Sequence, residues 1–96
     1  MKIAEIRSGM RRIEVTGAIS EISEARNVTT RMGDARVVTA ILKDDSGEIK
    51  LSLWNETIDK VKVGDNVKIE NGYVTEFRQE PQLNVGRYGT LTVLAS

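Results

Sequence analysis

The stretch Glu48–Phe77, EIKLSLWNETIDKVKVGDNVKIENGYVTEF, decides the fold of this chain, and its strand patterns extend outward on both sides. In its first seven residues aliphatic side chains occupy alternate positions, which is the period of a half-buried strand. Trp54 falls on the opposite phase, together with Lys50 and Ser52. The aliphatic phase consists of Ile49, Leu51 and Leu53.

The second half of the stretch repeats this arrangement around Asn71-Gly72. Val67 and Ile69 alternate with charged residues before that dipeptide. After it, one phase carries Tyr73, Thr75 and Phe77. Large aromatic side chains on polar faces are typical of flat platforms on which planar groups stack, so the stretch predicts a binding face rather than a core.

The chain before this stretch predicts two strands and an exposed hairpin loop. Ile3, Ile6 and Met10 suit a short helical turn or arm that packs on the core. A glycine inside the first strand, Gly17, indicates a bulge or bend of the kind that closes a barrel. The predicted segments are the arm Met1–Met10, the first strand Arg11–Glu24, the loop Ala25–Ala35 and the second strand Arg36–Asp44.

Turn signals and short apolar runs define the remaining elements. The spacing of Ile58 and Val61 predicts one or two helical turns between the third and fourth strands. The predicted segments are the turn at residues 45–47, the third strand Glu48–Trp54, the helical connection Asn55–Val63, the fourth strand Asp65–Phe77 with a bend at Asn71-Gly72, the polar turn Arg78–Gln82, and a fifth strand from Leu83 to Leu94 bent at residues 86–89.

Five strands with a short helix between strands three and four predict an all-β protein, a five-stranded Greek-key OB-fold barrel. Ligands of that fold lie across strands two and three and between the loops that join strands one to two and four to five. An SH3-like barrel is the alternative on strand count. Its connections are usually shorter than the one at Asn55–Asp65, which favours the OB-fold.

The composition of the 96 residues indicates one domain, residues 1–96, and narrows the function classes. Fourteen basic residues balance fourteen acidic ones, which excludes a strongly basic nucleic-acid binder but leaves room for a local basic groove. Cysteine and histidine are both absent, so the commonest nucleophile, general base and zinc ligands are missing. We therefore expect no enzyme, metal or cofactor. With no long apolar run and no signal peptide, we expect a cytoplasmic chain without a membrane partner.

Several segments resemble archaeal single-stranded DNA-binding proteins, the OB domains of archaeal replication protein A, and the related human single-strand sensor proteins. The first strand and Glu24-Ala25-Arg26 fit that family more loosely. The segments that carry the resemblance are LKDDSGEIKLSLWN at residues 42–55, VGDNVKIENGY at residues 63–73, Phe77, and the pattern Leu83…Gly86-Arg87…Gly89.

This resemblance implies an OB-fold that binds single-stranded DNA, largely independently of sequence, in replication, recombination and repair. Trp54, Tyr73 and Phe77 match positions of the family whose aromatic side chains stack on bases. Asn84 stands where some relatives carry a further aromatic residue, which implies one platform fewer. Many simple members continue into a flexible tail, whereas this chain stops at Ser96, so a trimmed domain and one module of a longer protein are both compatible with it.

Basic residues near the expected cleft are candidates for phosphate contacts. The loop from Arg26 to Arg36 carries three arginines and one aspartate, a bias that the neutral net charge hides. Arginine can fork onto a phosphate or stack on a base. We favour Arg26, Arg31, Lys50 and Arg78, from a wider set that also contains Arg36, Lys43 and Arg87.

Some residues and functions keep alternative interpretations. Asp44 and Asp45 suit a hairpin turn better than a metal site. Trp54 could cover a barrel end, and Phe77 could cap the core beneath the following loop. The chain could instead bind RNA, or the face around Trp54 could dock a protein, either a sister OB domain or a replication or repair protein.

Overall fold

A computed structural model describes residues 1–31, 33–85 and 89–94, with the side chains of Glu56 and Phe77 outside this description. The described part contains strands, one short α-helix and an N-terminal 3-10 helix, and three of its strand connections are hairpins. The elements are the 3-10 helix Ile3–Glu5, β1 (Arg11–Ile22), β2 (Arg26–Thr30), β3 (Gly33–Lys43), β4 (Glu48–Trp54), α1 (Glu56–Lys60), β5 (Asn66–Phe77), β6 (Glu80–Asn84) and β7 (Thr90–Leu94).

Five of these strands close into a ring in the order β1, β3, β4, β6, β5 and back to β1. Neighbours in the ring are antiparallel except β4 and β6, which run parallel. α1 connects the third and fourth strands of the ring, as predicted. This arrangement is the OB-fold and confirms the predicted architecture, whereas the SH3-like alternative is wrong.

Gly17 marks the point where β1 changes partners. Residues Arg11–Ala18 of β1 pair with β5, and from Ala18 onward β1 pairs with β3. A Cβ atom at Gly17 would lie 2.8 Å from the backbone oxygen of Lys43, so no larger residue fits without a shift of the backbone. The predicted closure point is therefore confirmed, and its cause is the close approach of β3 to β1.

The bend that was predicted in the fourth strand is a bulge. Ile13 pairs with Gly72 whereas Val15 pairs with Ile69, so β5 has one residue more than β1 between these two pairs. Asn71 absorbs the irregularity with a φ of 56° in the left-handed region. Asparagine tolerates this conformation better than most residues, which is why the strand continues through the bulge.

Two predicted loops are in fact strands. The segment predicted as the loop Ala25–Ala35 forms most of a hairpin, because β2 pairs with the first residues of β3 from Arg26–Val37 to Thr30–Gly33. Likewise, Arg78–Gln82 is not wholly a turn: only Arg78 and Gln79 turn, and β6 begins at Glu80. The fifth strand is divided into β6 and β7, and its predicted bend lies mainly at residues 86–88, outside the described residues.

The barrel interior is aliphatic. Leu42, Leu51 and Leu83 are among the fully buried side chains, and all belong to one core cluster. Ile3 and Ile6 of the N-terminal segment cover this core, as the sequence predicted, and Ile58 of α1 also packs against it. Within the described residues no helix is both long and apolar enough to cross a membrane.

Candidate nucleic-acid interface

The outer surface of β2, β3, β4, β6 and the second half of β5 forms one continuous sheet surface, which we call the strand face. Side chains that are paired across adjacent strands point to the same side of a sheet, so the register defines the members of this surface. One row joins Thr39, Ser52, Asn84 and Tyr73, and the next joins Ile41, Lys50, Gln82 and Thr75. A third row joins Arg26, Val37 and Trp54 on β2, β3 and β4.

Two aromatic side chains stand out of the strand face. Trp54 is 38% exposed and Tyr73 is 41% exposed, although both ring systems are large and largely apolar. Its cross-strand neighbour Val37 is buried but lies outside the barrel core cluster, as does Ala35. The Trp54 ring is thus not part of the core, and its exposed part can meet a planar ligand.

Phe77 is the third aromatic residue that the sequence predicted for this surface. Its backbone ends β5 and pairs with Glu80. The position continues the phase of Tyr73 and Thr75 on the strand face. Its side chain lies outside the described part of the chain, so its stacking role stays a prediction.

A polar network fills the strand face between the aromatic residues, and we call it the polar strip: Ser52, Thr75, Gln82 and Asn84. The amide of Gln82 donates a hydrogen bond to the hydroxyl of Ser52. The Nδ2 of Asn84 donates to Oγ1 of Thr75 and to the backbone oxygen of Gln82, both at 3.1 Å. Ser52 and Asn84 are the only buried residues with polar side chains among those described, so burial of polar groups is concentrated on this surface.

The four predicted phosphate contacts occupy three different places around the strand face. Arg26 lies on it, in the row of Trp54. Arg31 is exposed and follows β2, at the turn of the β2–β3 hairpin. Lys50 is on the strand face, with its Nζ 3.1 Å from a carboxylate oxygen of Glu80. Arg78 lies in the turn between β5 and β6.

The two hairpins flank opposite ends of the strand face. Because Val37 pairs with Trp54, the β2–β3 turn extends past the Trp54 end of β4. Because Lys50 pairs with Gln82, the β5–β6 turn extends past the Lys50 end. In the latter turn Arg78 and Gln79 have φ values of 53° and 68°, which is the backbone of a two-residue type I′ hairpin.

Two further basic residues from the wider set of phosphate-contact candidates, Arg36 and Lys43, lie near acidic residues. Arg36 is on the opposite phase of β3 from the strand face and pairs with Asp59, which lies in α1, at 3.1 Å. Lys43 is exposed and in register with Glu48 at the end of the β3–β4 pair. Arg87 and Tyr88 fall outside the described residues.

The acidic residues between β3 and β4, Asp44 and Asp45, make structural contacts at the turn that joins the two strands. Oδ1 of Asp44 accepts hydrogen bonds from the backbone nitrogens of Ser46 and Gly47, and its Oδ2 accepts one from the backbone nitrogen of Ile3. These hydrogen bonds, first of all that from Ile3, lower the pKa of Asp44 to about 2. Asp45 pairs with Lys2 at 3.0 Å. The part of the chain that the structure describes contains no cluster of acidic residues able to hold a metal ion.

The sequence of this chain is similar to those of proteins with the same fold. The sequence model of a family described as an OB-fold nucleic acid binding domain, of the tRNA anticodon type, matches residues 13–91, which include the whole strand face. The chain belongs to this family.

Two archaeal proteins are similar to this OB-fold domain in sequence. It is 38% identical over 85 residues to the single-stranded DNA binding protein Ssb of Saccharolobus solfataricus, covering 88% of this chain and 57% of that protein. It is 33% identical over 91 residues to replication factor A of Methanothermobacter thermautotrophicus, covering 91% of this chain and 12% of that protein. The chain thus spans little more than half of the first relative and a small part of the second.

A solved structure supports the same fold. The OB-fold domain superposes on the solution structure of a replication factor A related protein from Methanobacterium thermoautotrophicum with a TM-score of 0.81. The two are 27% identical, and the match covers 98% of this chain and 89% of the other. The resemblance that was inferred from sequence segments is confirmed.

The structure brings most of the predicted site together but adds residues that the sequence did not mark. Trp54, Tyr73, Lys50 and Arg26 share the strand face of the OB-fold domain. Ser52, which alternation placed on the exposed phase, is 5% exposed because the side chain of Gln82 contacts it. The sequence predicted a turn at Gln82. Its position on the sheet surface depends on the pairing of β4 with β6, which no local sequence pattern indicates.

Proposed function

We propose that residues 1–96 act as one OB domain that binds single-stranded DNA on its strand face, largely independently of sequence. The observation that carries the proposal is the presence of two exposed aromatic side chains, Trp54 and Tyr73, on one OB-fold strand face. Phe77 would extend this row of platforms. The phosphates would lie along the basic residues Arg26, Arg31, Lys50 and Arg78.

Stacking supplies affinity without reading the sequence, because every base has an aromatic face. Each stacked base contributes about 1–3 kcal/mol, measured by substitution of the aromatic residue with alanine. Two or three platforms would therefore give several kcal/mol, and phosphate contacts would add a part that weakens with salt. One domain would cover a handful of nucleotides, near the lower end of the range of about 4–16 for an OB-fold.

This mode of binding excludes duplex DNA. Paired bases are stacked on one another and cannot offer their faces to Trp54 or Tyr73. A protein of this kind covers strands that are exposed during replication, recombination and repair, and its action requires no catalytic step. We place it in the cytoplasm, with sister OB domains or replication and repair proteins as further partners.

RNA is the second candidate ligand, because the matching family is described by nucleic acid in general and by the tRNA anticodon type in particular. DNA is favoured because the relative at 38% identity is named for single-stranded DNA binding. At a stacked site RNA differs from DNA by its 2′-hydroxyl and by uracil in place of thymine. A comparison of matched oligonucleotides therefore separates the two ligands.

Fluorescence anisotropy with labelled oligonucleotides tests the proposal. The ligands are oligo-dT, a DNA duplex of the same length and oligo-rU, each at two salt concentrations. We expect oligo-dT to bind most tightly, with affinity that falls as salt rises, and we expect weak binding of the duplex. Tighter binding of oligo-rU than of oligo-dT would favour the RNA candidate, and negligible binding of every oligonucleotide by the folded protein would favour a protein-docking surface.

A further inference from the structure

The polar strip lies where the edge of a stacked base would come to rest. Asn84 pairs with Tyr73 on one side and with Ser52 on the other, and Ser52 is two residues before Trp54 on the same strand. A base that stacks on Tyr73 has Asn84 as its neighbour on the adjacent strand. The chemistry of Asn84 therefore bears on which bases the strand face accepts.

The hydrogen bonds of Asn84 fix the orientation of its amide. Its Nδ2 donates to the backbone oxygen of Gln82 and to Oγ1 of Thr75. A backbone oxygen only accepts hydrogen bonds, so the nitrogen and not the oxygen of the amide must face Gln82. Both hydrogens of Nδ2 are used in these two bonds, which leaves Oδ1 as the atom that Asn84 offers to a ligand.

The Oδ1 of Asn84 keeps access to solvent. Among the described residues, every fully buried side-chain nitrogen or oxygen has a hydrogen-bond partner. Within the described part of the chain, both hydrogen bonds of the Asn84 side chain are made by Nδ2, so its oxygen is not one of those fully buried atoms. A nearly buried side chain thus presents one oriented acceptor at the surface between two aromatic platforms.

From this geometry we propose that Asn84 gives the site a preference for bases that carry an exocyclic amino group, a preference that rests on the proposed function. The amino groups of cytosine and adenine project from the base edge and donate to an acceptor. Thymine and uracil present carbonyl oxygens at the corresponding positions, and their N3–H lies between two such oxygens. These oxygens face Oδ1 unfavourably, so Asn84 selects against both bases.

Stacking on the aromatic side chains still supplies most of the binding free energy, and the base preference adds to it. A single hydrogen bond of this kind changes affinity by about 3- to 10-fold, which is less than one platform contributes. The comparison of cytosine with uracil isolates it best, because both are pyrimidines of nearly equal stacking area. Thymine then controls for the added methyl group.

The test is a titration of the unmodified protein with oligo-dC, oligo-dU and oligo-dT of about 10 nucleotides. We expect oligo-dC to bind about 3- to 10-fold more tightly than oligo-dU, and oligo-dT to bind within about twofold of oligo-dU. Binding of oligo-dU or oligo-dT as tightly as oligo-dC would overturn the assignment of Asn84 and leave the proposed function standing. Failure of all three to bind would overturn both.

The variant Asn84→Ala separates the hydrogen bond from any intrinsic difference in stacking. We expect the ratio of oligo-dC to oligo-dU affinity to fall to about one in this variant, because it loses both the acceptor for the cytosine amino group and the oxygen that faces the uracil carbonyls. A ratio of oligo-dC to oligo-dU affinity that persists in the variant would contradict the assignment. If the variant does not fold, equal affinity of the unmodified protein for oligo-dC and oligo-dU still overturns the assignment.

Discussion

Trp54 remains more than one third exposed although tryptophan is among the most strongly buried residues on average. Its neighbours on the same face are polar or small, and the barrel core closes without it. The core therefore loses little when this ring is removed. At the scale of single residues, this separation of binding from stability is what makes the stacking role testable.

We expect Trp54→Ala to weaken binding of oligo-dT by more than about tenfold, within the range of about 1–3 kcal/mol for one stacked base, with little change in thermal stability. Anisotropy titration and the unfolding midpoint measure the two effects. Val93→Ala is the matched control, because Val93 is also an exposed apolar residue, 41% exposed, but lies on β7 outside the strand face. Unchanged affinity, or loss of the folded state, would refute the role of Trp54.

Lys50 illustrates how a neighbouring carboxylate limits a phosphate contact. Glu80 lies 3.1 Å from Lys50, and both side chains are exposed. We expect Glu80→Gln to tighten oligo-dT binding by up to about fivefold, the range of an exposed ion pair. The slope of log affinity against log salt should steepen by about 0.7, corresponding to one additional phosphate contact with a single strand.

Glu14→Gln makes the same change of charge elsewhere. Glu14 pairs with Lys68 at 2.8 Å on the β1–β5 pair, outside the strand face. This variant should leave the affinity and the salt slope unchanged. If both variants tighten binding equally, net charge and not the local release of Lys50 is responsible.

The sequence predicts the aromatic platforms but not the polar strip. Alternation along one strand identifies Trp54 and Tyr73, because each strand reports its own two faces. The hydrogen bond from Asn84 to Thr75 crosses from β6 to β5, and the one from Gln82 to Ser52 crosses from β6 to β4, so both depend on the register between strands. That register is set by the closure of the whole barrel, so no local sequence pattern predicts it.

At the scale of elements, the barrel depends on the close approach of β1 and β3 at Gly17. A side chain there would meet the backbone of Lys43 and the side chain of Leu42 at 2.8–3.1 Å. We expect Gly17→Ala to lower the free energy of unfolding by about 1–3 kcal/mol, as for other overpacked sites. Urea unfolding followed by Trp54 emission measures it.

Gly47→Ala is the control for this prediction. Nothing lies within 4 Å of the position that a Cβ would take at Gly47, and its backbone is outside the left-handed region. The change should therefore alter stability by less than about 0.5 kcal/mol. Equal destabilisation by both variants would show that the contact at Gly17 is not the cause.

Two hairpins differ from their sequence-based prediction because each lacks the usual sequence signal of its structure. Residues 26–35 lack an apolar period because β2 lies at the edge of the sheet and is mostly exposed on both faces. Pairing with β3 satisfies its backbone, and Thr and Val suit an extended strand. The β5–β6 turn lacks the glycine that usually marks a type I′ turn, so its two-residue length was not predicted either.

At the scale of the whole molecule, the N-terminal segment is fastened to the β3–β4 turn and covers one part of the core. Asp44 holds it through the backbone of Ile3, and Lys2 pairs with Asp45. Ile3 and Ile6 are buried as a result. The sequence predicted a packed arm here but not the carboxylate that fixes it.

This contact makes stability depend on pH in the acid range. The pKa of Asp44 is about 2 in the folded protein, below its ordinary value of 3.8, so the unfolded chain takes up the proton first as pH falls. The stabilisation is fully present above pH 3.8 and is lost as pH falls towards 2. We expect Asp44→Asn to lower the unfolding midpoint at neutral pH and to flatten the fall in midpoint across this window. A variant with an unchanged pH profile would contradict the role of Asp44.

The OB-fold itself was predictable because its strand count, its glycine bend and its single helical connection all appear in order along the chain. The pairing of β4 with β6, which completes the strand face, joins segments that are distant in sequence. It places the polar strip between Trp54 and Tyr73. The function that we propose depends on this assembled surface and not on any one motif.

The most direct test of that surface is the emission of Trp54, the only tryptophan, during titration with single-stranded oligo-dT. We predict strong quenching that saturates with binding, weakens with salt and is absent with duplex DNA. Emission that does not change while anisotropy shows binding would place the ligand elsewhere on the barrel and contradict the assignment of the strand face.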